Sequence, residues 1–242
     1  VEIYLYVFLL ALAAGTLSGM IGTGSSLLLL PMLVHAFGPR AAMPVMAIAA
    51  IIGNLSRMVV WWRQIDWRAA VVYALFGMPA ASLGAHTLLA LPAWIIDCAL
   101  GLFFWGMLPL RRYLHQTQRR LSLVQLSLCG AGIGFLTGLV LSTGPMSVPV
   151  FTAYGLRGGA FLATEAASAL LLYSSKVGTF VAQDALSWQT ALQGLLVGAG
   201  IMLGTVGSKS LLLKFPARTF DIVIDLLLFI SGAALLYSAW CG

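Results

Sequence analysis

Gly15-Thr16-Leu17-Ser18-Gly19-Met20-Ile21-Gly22-Thr23-Gly24-Ser25-Ser26 and, 119 residues further on, Gly134-Phe135-Leu136-Thr137-Gly138-Leu139-Val140-Leu141-Ser142-Thr143-Gly144-Pro145-Met146-Ser147 are one phrase written twice. Each copy sets glycines and hydroxyls inside an apolar run and is followed by a proline, Pro31 or Pro149. Each is answered later by a serine beside a cation, Ser56 with Arg57 and Ser175 with Lys176. The register extends outward: Gly38 and Arg40 match Gly155 and Arg157, Trp67 matches Trp188, and Pro92, Ala93 and Asp97 match Pro216, Ala217 and Asp221. The offset drifts from 117 to 124, as a few loop insertions would make it. An internal duplication is the simplest account. A duplicated, glycine-broken apolar segment paired with a charge inside hydrocarbon is what a carrier needs.

Composition fixes the class. Of the 242 residues 61% are hydrophobic and 8% charged, with a mean hydropathy of +1.00. Soluble domains carry about a quarter charged residues, so this chain belongs in a bilayer. Spanning segments use nearly all of its length, which leaves no room for an external catalytic domain. The first apolar segment carries Glu2 in place of a basic leader and reads as part of the mature protein. Cys98, Cys129 and Cys241 are scattered and odd in number, so they read as packing residues. His35, His86 and His115 lack metal-ligand spacing, and neither a cofactor nor a nucleic-acid partner is expected.

Apolar blocks fall at 3–37, 41–62, 69–90 and 93–110, and again at about 121–155, 160–182, 186–207 and 219–240. They divide the chain into a first membrane repeat, 1–112, a basic cytoplasmic linker, 113–120, and a second repeat, 121–242. Thirty-five residues of continuous helix would span about 52 Å, far beyond a hydrocarbon core of about 30 Å, so the first block of each repeat must break. The break is placed at Gly22 to Ser26 and at Ser142 to Gly144, which Pro145 follows. Charge decides the topology. If every block crosses once, loop cations split six to five between the two sides; if each long block is a broken hairpin, they split ten to one. The positive-inside rule favours the hairpins. Each repeat is then a broken, re-entrant hairpin plus three transmembrane helices, and an odd number of crossings makes the two repeats inverted. The expected fold is an all-α polytopic membrane protein.

Backbone groups freed at membrane depth are tolerated where they line a cavity. The N–H groups at the start of each second arm form, with nearby hydroxyls, a donor-rich cup for an oxyanion. The substrate-binding set read from this pattern is Arg57, Lys176, Ser18, Thr23, Gly24, Ser25, Ser26, Asn54, Thr137, Ser142, Thr143, Gly144, Ser147 and Ser175. Singly, any of the glycines or serines reads as helix packing, and either cation as a side chain snorkelling to the interface; the repetition favours a site. Glu165 stands between two readings, a proton-coupling carboxylate and an acid near its helix start that complements the dipole. No metal site is expected. Helices rich in small residues are open to homodimerisation.

The run Gly15, Ser18, Gly19, Gly22, Gly24, Pro31, the Arg63-Asp66-Trp67 loop, the Gly77 and Gly84 helix, and the second copy from Gly134 through Gly138 to Pro149 resemble the TauE/SafE family of sulfite and organosulfonate exporters over essentially the whole chain. The chain departs from the family pattern at Ser25, where a further glycine is frequent, and at Ser142 to Pro145, which replace a richer glycine run. The resemblance implies export of sulfite or a small sulfonate such as sulfoacetate across the bacterial inner membrane, driven by the proton gradient. A channel for the same anions shares the site. An intramembrane serine protease built on Ser18 and His86 is disfavoured, because such an enzyme has no reason to duplicate its serine motif and the second half offers Thr137 with no matching histidine.

Overall fold

The computed structural model describes residues 2–21, 25–116, 121–140, 143–208 and, between 222 and 240, scattered helical positions. Thr23, Gly24, Ser142, Asp221 and the stretch 117–120 of the basic linker lie outside the described residues. The helices are α1 (Glu2–Ile21), α2 (Ser25–Phe37), α3 (Pro39–Val60), α4 (Trp67–Ala90), α5 (Ala93–Gln116), α6 (Leu123–Val140), α7 (Gly144–Tyr154), α8 (Gly158–Ala182) and α9 (Trp188–Gly207). No strand occurs among the described residues. Helix α5 runs on through Gln116, so residues 113–116 of the segment read as a linker are helical.

Each long block is described as two helices, one on either side of residues 22–24 or 141–142, which lie outside the described residues. Helix α1 stops at Ile21 and α6 at Val140, while α2 starts at Ser25 and α7 at Gly144; the offset is 119 in both cases. The outer ends of each pair meet. Tyr4 near the start of α1 packs on Phe37 at the end of α2, with ring centroids 6.2 Å apart. At the start of the second half, Leu121 N donates to Ala153 O near the end of α7, at 3.1 Å. The turns that follow both use glycine with positive φ, Gly38 at 79° and Gly155 at 115°, a conformation that costs a side-chain-bearing residue about 1 kcal/mol or more.

Local capping marks the later helix starts. Ser122 and Gln125 bond reciprocally as a capping box before α6. The carboxylate of Asp66 accepts from Ala69 N at the head of α4, and Ser187 Oγ accepts from Thr190 N at the head of α9. Trp67 and Trp188 open these two helices with exposed indoles, and Leu75, Phe76 and Leu83 of α4 and Leu192, Leu195 and Leu203 of α9 are exposed along their outer faces. An apolar outer face with tryptophan at its end is what a lipid environment selects.

Between helices the driving contact is close backbone approach through small residues. Helix α6 lays Gly130, Gly134 and Gly138 on Tyr73, Gly77 and Ala81 of α4. Helix α1 lays Ala11, Gly15 and Gly19, which precede those three glycines by 119 residues each, on Gly200, Ile201 and Thr205 of α9. Positions rise together in both pairs, so each pair is parallel. Helix α3 also runs parallel to α9, with Ile48 on Gly194 and Ile52 on Gly198. Helix α8 runs parallel to α4, with Ser175 Oγ donating to Met78 O and Ser82 bonded to Thr179. The head of α8, at Gly159, abuts Trp61, the C-cap of α3, and Gln64 just beyond it, while Glu165 further along α8 meets Arg57 further back on α3, so α3 and α8 are antiparallel. Among the described helices, α1 and α6, α3 and α8, and α4 and α9 therefore point in opposite directions.

These contacts give a stability test with an internal control. A Cβ at Gly138 would fall inside the contact distance of Ala81 O, a backbone atom that cannot step aside, whereas Gly132 of the same helix has nothing within 4 Å. Gly138→Val is expected to destabilise by about 3 kcal/mol or more, the upper range for overpacking, while Gly132→Ala is neutral or gains up to about 1 kcal/mol from helix propensity. Thermal unfolding in detergent reads the difference.

Candidate functional site

Helices α3 and α8 cross at the centre, and the cavity they enclose with α1, α2, α4, α6 and α7 is lined on the α3 side by Met46, Ala50, Gly53, Asn54 and Arg57. On the α8 side it is lined by Glu165, Ala169, Leu172 and Tyr173. Adding 119 to the first four α3 positions gives the four α8 positions, and adding it to Arg57 gives Lys176. The spacing 46, 50, 53, 54, 57 is one face of a helix. The same helix-face spacing, on α3 and again on α8, thus makes both walls. Ser18 of α1 and its equivalent Thr137 of α6 close two sides. Ser25 and Ser26 at the head of α2, and Thr143, Gly144 and Ser147 at the head of α7, close two more. Two helix N-termini therefore open on the cavity, each with a partial positive charge suited to an anion. The cavity volume is about 50 Å³, against about 10–15 Å³ for one water, which leaves room for a compact anion of a few heavy atoms.

The charged centre spans the two halves. Arg57 Nη1 and Glu165 Oε2 stand 3.1 Å apart, and both side chains are almost fully buried. Arg57 Nη2 donates to Asn54 Oδ1, whose own amide donates to Ala50 O at 2.8 Å. Glu165 Oε1 accepts from Ser147 Oγ at 3.1 Å. The ion pair is close but out of line: among the described residues Arg57 Nε and Nη1 donate no hydrogen bond, and Glu165 Oε2 accepts none. A guanidinium carries five N–H donors in a fixed fork, so Arg57 retains directed donor capacity toward a ligand.

Lys176 behaves differently from Arg57. It is fully buried, its Nζ donates to Thr137 O at 2.9 Å and to Gly138 O, and it lies 5.5 Å from the centroid of the Phe180 ring. Its charge covers the carbonyl end of α6, where a cation complements the dipole, and it is absent from the cavity lining. Ser175 is turned to Met78 O in the α4–α8 seam and likewise does not line the cavity.

Ten of the sequence-predicted residues thus meet at one cavity: Ser18, Ser25, Ser26, Asn54, Arg57, Thr137, Thr143, Gly144, Ser147 and Glu165. Thr137 and Thr143 hydroxyls are bonded to one another, and Thr137 Oγ1 also donates to Ile133 O at 2.7 Å. Glu165 is the eighth residue of α8, two turns inside it and against Arg57, which removes the reading as a first-turn dipole partner. Sequence reasoning missed the wall of Met46, Tyr73, Ile133, Phe151, Leu172 and Tyr173, in which Tyr73 and Phe151 pack with centroids 4.9 Å apart. A signal existed for half of it: stepping back from Arg57 along its own helix face and adding the repeat offset reaches Met46, Leu172 and Tyr173. Ser18 lines the cavity whereas His86 is exposed on α4, so the serine and histidine of the protease reading are not brought together there.

Compared with known families, the chain matches the model described as Sulfite exporter TauE/SafE over residues 7–235. No curated protein and no solved structure matches it.

Proposed function

The chain belongs to the TauE/SafE sulfite exporter family, and from that premise we propose that it is a secondary carrier that exports a small sulfur oxyanion, sulfite or a sulfonate such as sulfoacetate, across the bacterial inner membrane. Members of this family are membrane transporters. The antiparallel run of equivalent helices supports two inverted repeats, and a cavity walled by equivalent faces supports alternating access by rocking one repeat against the other.

The observation that carries the reading is the Arg57–Glu165 pair. A buried guanidinium with unused donors, beside two helix N-termini and the hydroxyls of Ser18, Thr143 and Ser147, is a site for an oxyanion. Glu165 occupies one side of that guanidinium, and an arriving anion meets a like charge there. Two negative charges on one cation in a low-dielectric cavity repel strongly, so anion binding is linked to protonation of Glu165. The other groups around this carboxyl are Ser147 from α7, Tyr73 from α4 and Tyr173 from its own helix, none of which brings a positive charge. Anion and proton consequently bind together and cross in one direction. Export then runs down the outward substrate gradient, in place of the proton-driven export that the resemblance implies, and is hastened by acid inside.

Uptake into proteoliposomes of sulfite, sulfoacetate, sulfate and taurine tests the assignment. Saturable flux of sulfite or sulfoacetate is expected, with taurine at least about tenfold slower, because its ammonium faces Arg57 and two positive helix ends. Taurine carried as well as sulfoacetate, or no saturable flux of either sulfur anion, contradicts it.

A further inference from the structure

We propose that Arg57 and Lys176 are alternative anion-binding cations, one for each face of the membrane: Arg57 meets the anion when the protein stands as seen here, and Lys176 meets it in the opposite-facing state, while Arg57 withdraws onto the carbonyls of Ser18 and Gly19. The proposal rests on the anion-carrier reading and deepens it.

Four observations lead to it. The walls of the cavity are repeat-equivalent at 46/165, 50/169, 53/172 and 54/173, yet the fifth pair, 57/176, is not used alike. Arg57 faces the cavity, bound to Asn54 and Glu165; Lys176 is drawn back to Thr137 O and Gly138 O. Subtracting 119 from the residues that hold Lys176 gives Ser18 and Gly19, the positions equivalent to the lysine's dock. Finally, α1 and α6 are described up to equivalent residues, Ile21 and Val140, so Ser18 and Gly19 precede that point in α1 by as many residues as Thr137 and Gly138 do in α6.

The asymmetry has a physical reason. Two unpaired cations facing one small cavity would repel each other and would both lose hydration. Docking one of them on a helix C-terminus satisfies it with dipole and carbonyl oxygens and leaves a single cation for a single anion. In a protein built of two inverted halves, a state open to the other side arises when each half takes the conformation its partner had. The exchange of Arg57 and Lys176 is the side-chain expression of that step. Position 165 does not exchange in kind, because its equivalent is Met46; the carboxylate belongs to one half only.

The test is a face-resolved Michaelis constant. Protein inserted in one orientation in proteoliposomes is assayed with radiolabelled sulfite presented from each side in turn, for the unaltered chain, Arg57→Lys and Lys176→Arg. Both substitutions keep the charge but change fork and reach. Each is expected to raise or lower KM by about tenfold on one face, the size of one altered charge-assisted contact, and the two variants act on opposite faces. A purely structural lysine would instead reduce the maximal rate in both directions with KM unmoved. Should Lys176→Arg fail to insert, Lys176→Gln, which keeps donors for the Thr137 and Gly138 carbonyls, reads the same face. Effects of both variants on the same face, equal effects on both faces, or no KM effect at position 176 overturn the proposal while leaving the carrier intact. No saturable flux in the unaltered protein overturns the carrier reading and the proposal with it.

Discussion

Arg57→Met is expected to reduce sulfite and sulfoacetate flux by about a hundredfold or more and to destabilise the fold by about 3–5 kcal/mol. Both effects come from one geometry. Arg57 is the only cation among the described residues that lines the cavity, and it is the neutralising partner of buried Glu165. Methionine keeps most of the side-chain volume and removes every donor, so the carboxylate is left with Ser147 alone among the described residues. Adding Glu165→Met separates the two effects. Replacing a buried pair by apolar residues of similar size is often neutral or stabilising, so the double variant is expected to regain the thermal stability of the unaltered protein and to remain inactive. A single variant with normal flux would remove Arg57 from the site. A double variant as unstable as the single one would show that the two charges do not act as a pair.

Glu165→Gln gives the second large effect, this time on coupling. In the unaltered protein the anion displaces a charged neighbour unless Glu165 takes up a proton. The apparent affinity for sulfoacetate should therefore rise as pH falls, approaching about tenfold per pH unit while one proton is bound per anion. The sign follows from linkage: the bound state holds more protons, so acid favours it. Glutamine keeps an acceptor for the Ser147 hydroxyl and carries no charge at any pH. Its affinity is expected to be high and flat across the same range, and its flux insensitive to a pH gradient. Sulfoacetate suits this measurement because sulfite exchanges its own proton near neutrality. A pH slope unchanged in Glu165→Gln would place the coupling proton elsewhere.

An interruption between Ile21 and Ser25 and between Val140 and Gly144 was legible because an apolar run too long to span once must break where glycine and hydroxyls allow it, and the loop charges favoured a fold-back there. Hydroxyls at the heads of α2 and α7 followed from the same logic, since freed N–H groups need a polar neighbourhood. The fate of Lys176 was not legible. Its sequence position is equivalent to that of Arg57, and only the three-dimensional placement of the α6 carbonyls at Thr137 and Gly138 shows that its charge is satisfied there. Nor was the partner of Glu165. Along its own helix the nearest cation is three turns off, while across the α3–α8 crossing Arg57 lies 3.1 Å away, a contact that depends on the antiparallel packing of the two halves. The aromatic wall escaped for a more general reason: in a chain that is 61% hydrophobic, an inward tyrosine or phenylalanine looks like an outward one.

Counterflow separates a carrier from a pore most directly. Proteoliposomes loaded with a high concentration of unlabelled sulfite are diluted into a trace of labelled sulfite, and the internal label is followed in time. A site that faces one side at a time exchanges internal for external anion, so the label should rise transiently above its equilibrium value and then decay, and the overshoot should vanish in Arg57→Met. A monotonic approach to equilibrium, with a rate proportional to concentration and no saturation, would mean that the cavity conducts to both sides at once, and the account of two halves alternating around Arg57 and Glu165 would be wrong.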